Sequence, residues 1–289
     1  MSEITADMVK KLREKSGARM MDCKKAFEET KAEFSSKGNE GWIEGAEAWL
    51  RKKSLAAGGA IQERAAAEGL LGYKLTSDGA LAVVEMTANT DFVAKNPEFL
   101  KLLNDLVDIA DKEKLTSAEE LNAKSLNGTP VSDVVKSLAG KIGENISIKR
   151  VVRFDGEIGY YIHHDNKQGA IVEIGGLTGE AAKALGKDLS MHIVFAKPNH
   201  LVREEVSPEL IKKETDIAAD KLKSDPKNAN KPPEILNKII AGQVNKFYST
   251  LVLPDQPYYK DGNKTVAQIL KENANATVKR FVRFEVGVI

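Results

Sequence analysis

Cysteine is almost absent from this chain. The one residue, Cys23, cannot form an internal disulfide and has no CxxC partner for zinc. That fits a reducing cytoplasm, the expected location. An excess of charge is missing too: 43 bases face 42 acids, a net of +1. Duplex binding needs a basic face that neutralises several phosphates. The small clusters Lys10-Lys11, Lys24-Lys25 and Arg51-Lys52-Lys53 have acids close by, so direct nucleic-acid binding is not expected. No apolar run approaches the ~20 residues of a membrane span, and membrane binding is not expected either. The opening MSEITADM has acids and no apolar stretch, unlike a secretory or Arg-rich transit signal.

Motifs for chemistry are equally scarce. There is no GxxxxGK[ST] and no GxGxxG to cradle a phosphate; Gly58-Gly59 and Gly175-Gly176 lack that form. His163 and His164 fall in a segment that reads as strand, where neighbours point to opposite faces and do not readily share a metal. His192 and His200 lie far along the chain from each other and from any acid–base set. No cofactor, metal or enzyme activity is expected. Binding is the better class of function.

What is present is pattern. At 289 residues the chain is long enough for about two domains. Residues 1–54 read as three short helices: VKKLREKSG stops at Gly17, MDCKKAFEET follows, and WIEGAEAWLRKK sets Trp42, Ile43, Ala46, Trp49 and Leu50 on one face. Residues 55–67 read as a linker with Gly58-Gly59 as its flexible point.

From residue 68 the pattern appears twice. GLLGYKL and ALAVVEM flank TSDG, a hairpin signal, and a helix, PVSDVVKS and ISIKRVVRFD follow. Later, IGYYIHH and GAIVEIGG give another hairpin, TVAQILKE repeats the apolar spacing of PVSDVVKS, and VKRFVRFE nearly repeats IKRVVRFD. The order of elements predicts two related α+β units, at 68–155 and at 156–205 with 251–289. Residues 206–250 interrupt the second as a helical hairpin turning at DPKNANKPP. Its apolar positions (Leu210, Ile217, Leu222, Ile235, Ile239) have two uses: pairing its own arms, or pairing with a second copy in a homodimer.

One stretch belongs to the first unit alone. After IVEI the chain passes through GGLTGE straight into its helix, whereas after VVEM it inserts TANTDFVAKN. Folding of the unit does not require that insertion, which makes it a candidate for function. By pattern alone, Phe92 seats the following helix in the core and Asp91 caps a turn; an exposed contact is the other reading. Asn96-Pro97 predicts a helix start.

The combination of TDFVAKN (90–96), ARMMDCKKA (18–26) and KIGENI (141–146) resembles the bacterial elongation factor Ts family. The likeness runs from residue 1 to RFEVG at 283–287. It implies a ubiquitin-associated-like three-helix domain, a linker, and a core of two related α+β subdomains with antiparallel sheets and an inserted helical hairpin. It also implies a nucleotide-exchange factor, not an enzyme, whose partner is the GTPase elongation factor Tu. On that resemblance Asp91 and Phe92 intrude beside the partner's nucleotide site and disturb its magnesium and phosphate contacts, with Thr90 and Val93 setting the loop. Met20, Met21 and Lys24 dock on the partner's nucleotide-binding domain, and His164 reaches another partner domain. Core packing of a methionine and plain solvation of Lys24 and His164 are the competing readings, and Ile142 reads as core. A ubiquitin-associated-like adaptor or RNA-associated translation accessory without exchange activity is the alternative. The chain departs from the family in a longer 31–41 stretch, KAEFSSKGNEG, and in a linker poor in lysine. It ends just past RFEVG, without the further C-terminal helical module of some members.

Overall fold

The computed structural model describes residues 3–61, 66–76, 78–224 and 231–288. Three helices lead: α1 (Ala6–Ser16), α2 (Met20–Phe34) and α3 (Gly38–Ile61). Helix α1 begins at Thr5, whose hydroxyl accepts from the Met8 N–H, and ends at Gly17 in the left-handed region. The 31–41 stretch is helical: its residues end α2, form a 3₁₀ turn at Ser35–Lys37, and open α3. Met8, Leu12, Phe27 and Trp42 make a small core. Phe27 and Trp42 meet edge to face with centroids 5.4 Å apart. The buried indole is satisfied, donating to Thr30 Oγ1 at 3.1 Å.

The expected boundary after residue 54 falls inside α3. The helix continues through Gly58 and Gly59 to Ile61, and packs along α7 of the first copy, described below. Gly140 of that helix lies so close to the Ser54 carbonyl that no side chain would fit between them. A docked partner surface thus holds the alanine- and glycine-rich segment helical, overriding its weak propensity. Residues 62–65 of the expected linker lie outside the described residues.

The first copy holds β1 (Glu68–Leu75), β2 (Leu81–Ala88), α4 (Asp91–Ala94), α5 (Pro97–Lys112), α6 (Ala118–Asn122), β3 (Ser125–Leu126), β4 (Thr129–Pro130), α7 (Val131–Ile142) and β5 (Ile146–Phe154). The second holds β6 (Ile158–Ile162), β7 (Gln168–Gly175), α8 (Gly179–Ala196), α9 (Pro208–Ser224), α10 (Pro233–Leu251), β8 (Pro257–Tyr258), β9 (Asp261–Thr265), α11 (Val266–Glu272) and β10 (Thr277–Glu285). Helices α9 and α10 are the arms of the expected hairpin and pack on each other; residues 225–230 of its turn lie outside the described residues. Contacts gather the N-terminal helices and most of the first copy, as far as Arg153, into one compact unit joined by the last few residues, while 154–285 and the described residues 78–80 of the first hairpin's turn form a second. Residues 286–288, expected with the second copy, belong to the first unit, where Gly287 meets the Ala67 carbonyl.

The two copies match in detail. The sheets run β1-β2-β5 and β6-β7-β10, each with the second hairpin strand in the centre. Gly72 pairs with Val84 in one hairpin and Gly159 with Val172 in the other. Each glycine admits the helix packed on its sheet: a side chain at Gly72 would strike Leu103 and Val107 of α5, and one at Gly159 the backbone at Gly186 of α8. The central strands carry an acid at the same place, and it meets the matching arginine in both. Arg150 Nη2 donates to Glu85 at 2.8 Å, and Arg280 Nε to Glu173 at 2.7 Å. Burial alone would raise the Glu173 carboxyl, but Arg280 and Lys279 outweigh it and hold it below the usual carboxylate range.

Each copy has its own apolar core. In the first, Phe99, Leu102, Leu103 and Leu106 of α5 meet Val84 and Met86 of β2 and Val135 and Leu138 of α7. In the second, Leu185, Leu189 and Ile193 of α8 meet Val172, Ile174, Val266 and Leu270. His192 lies wholly inside this second copy. Its Nδ1 accepts from the Tyr259 N–H at 3.3 Å and its Nε2 lies 3.0 Å from Gln256 Oε1. Burial depresses its pKa, with the Gln256 bond opposing.

Candidate functional site

The segment between β2 and α5 is built around one helical turn. Thr90 is its N-cap, the hydroxyl accepting from the Val93 N–H at 3.4 Å. The turn then closes through Lys95 N–H to the Asp91 carbonyl at 3.2 Å and Asn96 N–H to the Val93 carbonyl at 2.9 Å. Asn96 in turn caps α5, its Oδ1 accepting from Glu98 N–H at 2.8 Å, with Pro97 at the first helical position. Successive side chains on so short a turn face in different directions, which sorts them sharply. Val93 and Ala94 are in the core. Phe92, one residue earlier, is 80% exposed.

That exposure overturns the expectation from pattern that Phe92 seats the following helix. Phe99, on α5 itself, fills the core position instead. Asp91 is not the cap either; Thr90 is. The Asp91 carboxylate is held by Lys95 Nζ at 2.7 Å, one turn on and at the surface, a pair worth about 0–1 kcal/mol. Asp91 and Phe92 thus stand at the surface beside each other, on a turn whose remaining side chains hold it in place.

Thr90 and Val93 are the residues that fix the turn. Val93 is buried, so its part is to pin the turn to the core. Thr90 reaches across 54 residues to Glu144: its N–H donates to Glu144 Oε2 at 3.1 Å, and its hydroxyl lies 2.9 Å from the same oxygen and 3.1 Å from Oε1. Beside it, the Asn145 N–H donates to Asn89 Oδ1 at 2.6 Å. Gly143 makes this possible. At φ +87 it ends α7 in the left-handed region, so the chain turns and delivers Glu144 to the loop. Glu144, Asn145 and Asn89 escaped the sequence reading. The available signal was the KIGENI run itself, an acid directly after a helix-ending glycine.

Met20 and Met21 open α2 at 51% and 72% exposure; core packing, their competing reading, does not apply. Lys24 lies one turn on and is exposed, and it lines a surface groove with Met20, Val9 and Arg13. This patch connects physically to the Phe92 turn. Arg19, just before Met20, donates to the Ile142 carbonyl at 3.3 Å, two residues from Glu144. Ile142 itself is partly buried against the first-copy core, as expected.

His164 lies elsewhere, in the second copy, and is exposed. It belongs to the β6–β7 turn, where strand was expected: the His163 N–H donates to the Gln168 carbonyl at 2.8 Å and the chain reverses at Asn166. The opposite-face argument therefore fails for the two histidines, whose rings lie 4.2 Å apart. Among the described residues, no group of three or more His, Cys, Asp or Glu could hold a metal ion. No described helix is long and apolar enough to cross a membrane.

The family model described as Elongation factor TS matches residues 89–288, starting at the Phe92 turn. The elongation factor Ts of Deinococcus deserti is 39% identical over 282 residues, covering 97% of this chain and 99% of its own. That of Syntrophotalea carbinolica is 40% identical over 298 residues, covering 99% and 93%. That of Methylobacillus flagellatus is 40% identical over 295 residues with the same coverage. With the paired α+β copies and the exposed Asp91-Phe92 turn already in view, these likenesses extend over nearly the full length, and the chain belongs to the elongation factor Ts family.

Proposed function

We propose that this protein is a guanine-nucleotide exchange factor of translation elongation, which binds the GTPase elongation factor Tu and promotes release of its GDP. It does so by inserting the Asp91-Phe92 turn beside the partner's nucleotide and disturbing the magnesium and phosphate contacts there. The observation that carries the reading is the exposed Phe92 on a turn anchored at both sides by Val93 and Thr90. Exchange requires the complex to favour the empty GTPase over the loaded one, and the coupling is reciprocal: whatever weakens GDP is weakened by GDP. A wedge suits this, because it gains contact only where the nucleotide's own contacts have given way.

Met20, Met21 and Lys24 supply a second contact, adaptable in shape through the thioethers, and His164 a third on another partner domain. The protein acts in the cytoplasm as a binding protein rather than an enzyme, without direct contact to nucleic acid or membrane. The exposed Leu210, Ile217 and Ile235 of the hairpin are the surface on which a homodimer would form.

The test is release of fluorescent GDP from purified elongation factor Tu with and without this chain. Acceleration by catalytic amounts is expected. Binding without acceleration would support an adaptor role and overturn the exchange reading.

A further inference from the structure

The first copy carries two lengths of chain that the second lacks. Between VVEM and α5 it has residues 87–96, ten, where the second copy has only residues 175–178, four, between IVEI and α8. Between PVSDVVKS and IKRVVRFD it has residues 138–147, ten, where the second copy has residues 273–277, five, between TVAQILKE and VKRFVRFE. The second copy closes its sheet without either. The two additions bond to each other: Glu144 accepts from the backbone N–H and the hydroxyl of Thr90, and the Asn145 N–H donates to Asn89 Oδ1. One addition presents Phe92 to solvent, and the other supplies the carboxylate that holds the presenting turn.

From this we infer that Glu144 is a positioning residue for nucleotide exchange: it acts through Thr90 to hold the Phe92 turn in the geometry that meets the partner. The inference rests on the wedge reading of Asp91-Phe92 above. A carboxylate suits the role because, when ionised, it only accepts, and Thr90 offers it two donors at once. Thr90 Oγ1 has one proton, given to Glu144, so its lone pairs face the Val93 N–H as the cap requires. Removing Glu144 frees that hydroxyl to rotate and releases the Thr90 N–H, which loosens the helical turn from its first residue. A group misplaced by about 1 Å loses up to a hundredfold in rate.

The experiment is a double-mutant cycle on GDP release from elongation factor Tu, using full-length Phe92→Ala, Glu144→Ala and the double variant. Each is run across a range of exchange-factor concentrations. Glu144→Ala is expected to lower the maximal release rate roughly tenfold or more. In the Phe92→Ala background the same change is expected to cost almost nothing, since there is no wedge left to position. Glu144→Gln, which keeps one acceptor oxygen, should lose less than Glu144→Ala. Amide hydrogen exchange at Val93 should quicken in Glu144→Ala while α5 stays protected, which separates loosening of the turn from unfolding. Full loss in both backgrounds, or normal release by Glu144→Ala beside an impaired Phe92→Ala, overturns the positioning role and leaves the wedge standing. Normal release by Phe92→Ala itself overturns the wedge reading.

Discussion

Phe92 and Phe99 offer a paired perturbation, because the two rings sit seven residues apart in opposite surroundings. Phe92 is 80% exposed and Phe99 is fully buried. Complete burial of a phenylalanine side chain contributes about 1.5–3 kcal/mol. With only a fifth of its surface covered, Phe92 contributes about 0.5 kcal/mol at most to the fold, within the range of ordinary surface substitutions. Phe92→Ala should therefore leave the melting temperature within about 2 °C of the parent. Phe99→Ala deletes a ring packed among the α5, β2 and α7 side chains and should cost roughly 3–5 kcal/mol. For a unit of this size that is a fall of roughly 6–20 °C. Exchange should reverse the order. Loss of an exposed aromatic anchor weakens an interface by on the order of 2–4 kcal/mol, so Phe92→Ala should be folded but strongly impaired in stopped-flow GDP release. Phe99→Ala, assayed well below its own transition, should retain release in proportion to its folded fraction. Some binding by Phe92→Ala should survive through the methionine patch and the β6–β7 turn. Asp91→Ala should follow Phe92→Ala more mildly, since its side chain offers less area. A marked fall in melting temperature for Phe92→Ala, with normal release by its folded fraction, would refute the reasoning.

Gly140 and Gly242 should respond to alanine in opposite senses. Gly140→Ala drives a methyl into the Ser54 carbonyl and should destabilise by about 1–3 kcal/mol, whereas Gly242 lies in α10 with open space around it and its alanine variant should gain about 0.4–1 kcal/mol; denaturant midpoints of the two variants check both signs. His192 should make the second unit acid-sensitive. Above about pH 6.5 folded and unfolded chains both hold a neutral imidazole. Below it the unfolded chain takes the proton first, because burial depresses the folded value. Stability should then drop by up to about 1.4 kcal/mol per pH unit until the folded value is passed. Denaturation between pH 5 and 7.5 of the parent and His192→Asn should show a shallower slope in the variant, and equal slopes would remove His192 as the cause.

How much of this was legible in the sequence depended on how far apart the interacting residues stand. Signals carried within a few residues were read directly: Gly17 ends α1, Asn96-Pro97 opens α5, and TSDG separates two strands. The duplication was legible as well, because a repeat compares the chain with itself. Its pairing details, Gly72 with Val84 and Gly159 with Val172, and the two acid–arginine pairs, needed the sheets to be in register. Where local pattern and structure differ, the cause is a contact distant in sequence. The LAAGGA segment has the composition of a linker, and the surface that keeps it helical, α7, lies about 80 residues on. The histidine pair continues a strand-like run, and the turn that carries it depends on the cross-strand bond from His163 to Gln168.

The Phe92 turn joins both cases. A four-residue helix has too few internal bonds to stand alone, so whether its aromatic faces core or solvent is decided by what holds it. Val93 and Ala94 pull one side into the core, and Glu144 binds the capping threonine from the other chain insertion. With both attachments made, Phe92 has no buried site left to enter: Phe99 already fills the core position on α5. Local pattern identifies TDFV as unusual by its absence from the second copy. The burial of Val93 and Ala94, the occupied Phe99 position and the bond between residues 90 and 144 together explain why its one large apolar side chain is kept in water, at an energetic cost that folding of this copy does not require and that contact with a partner would offset.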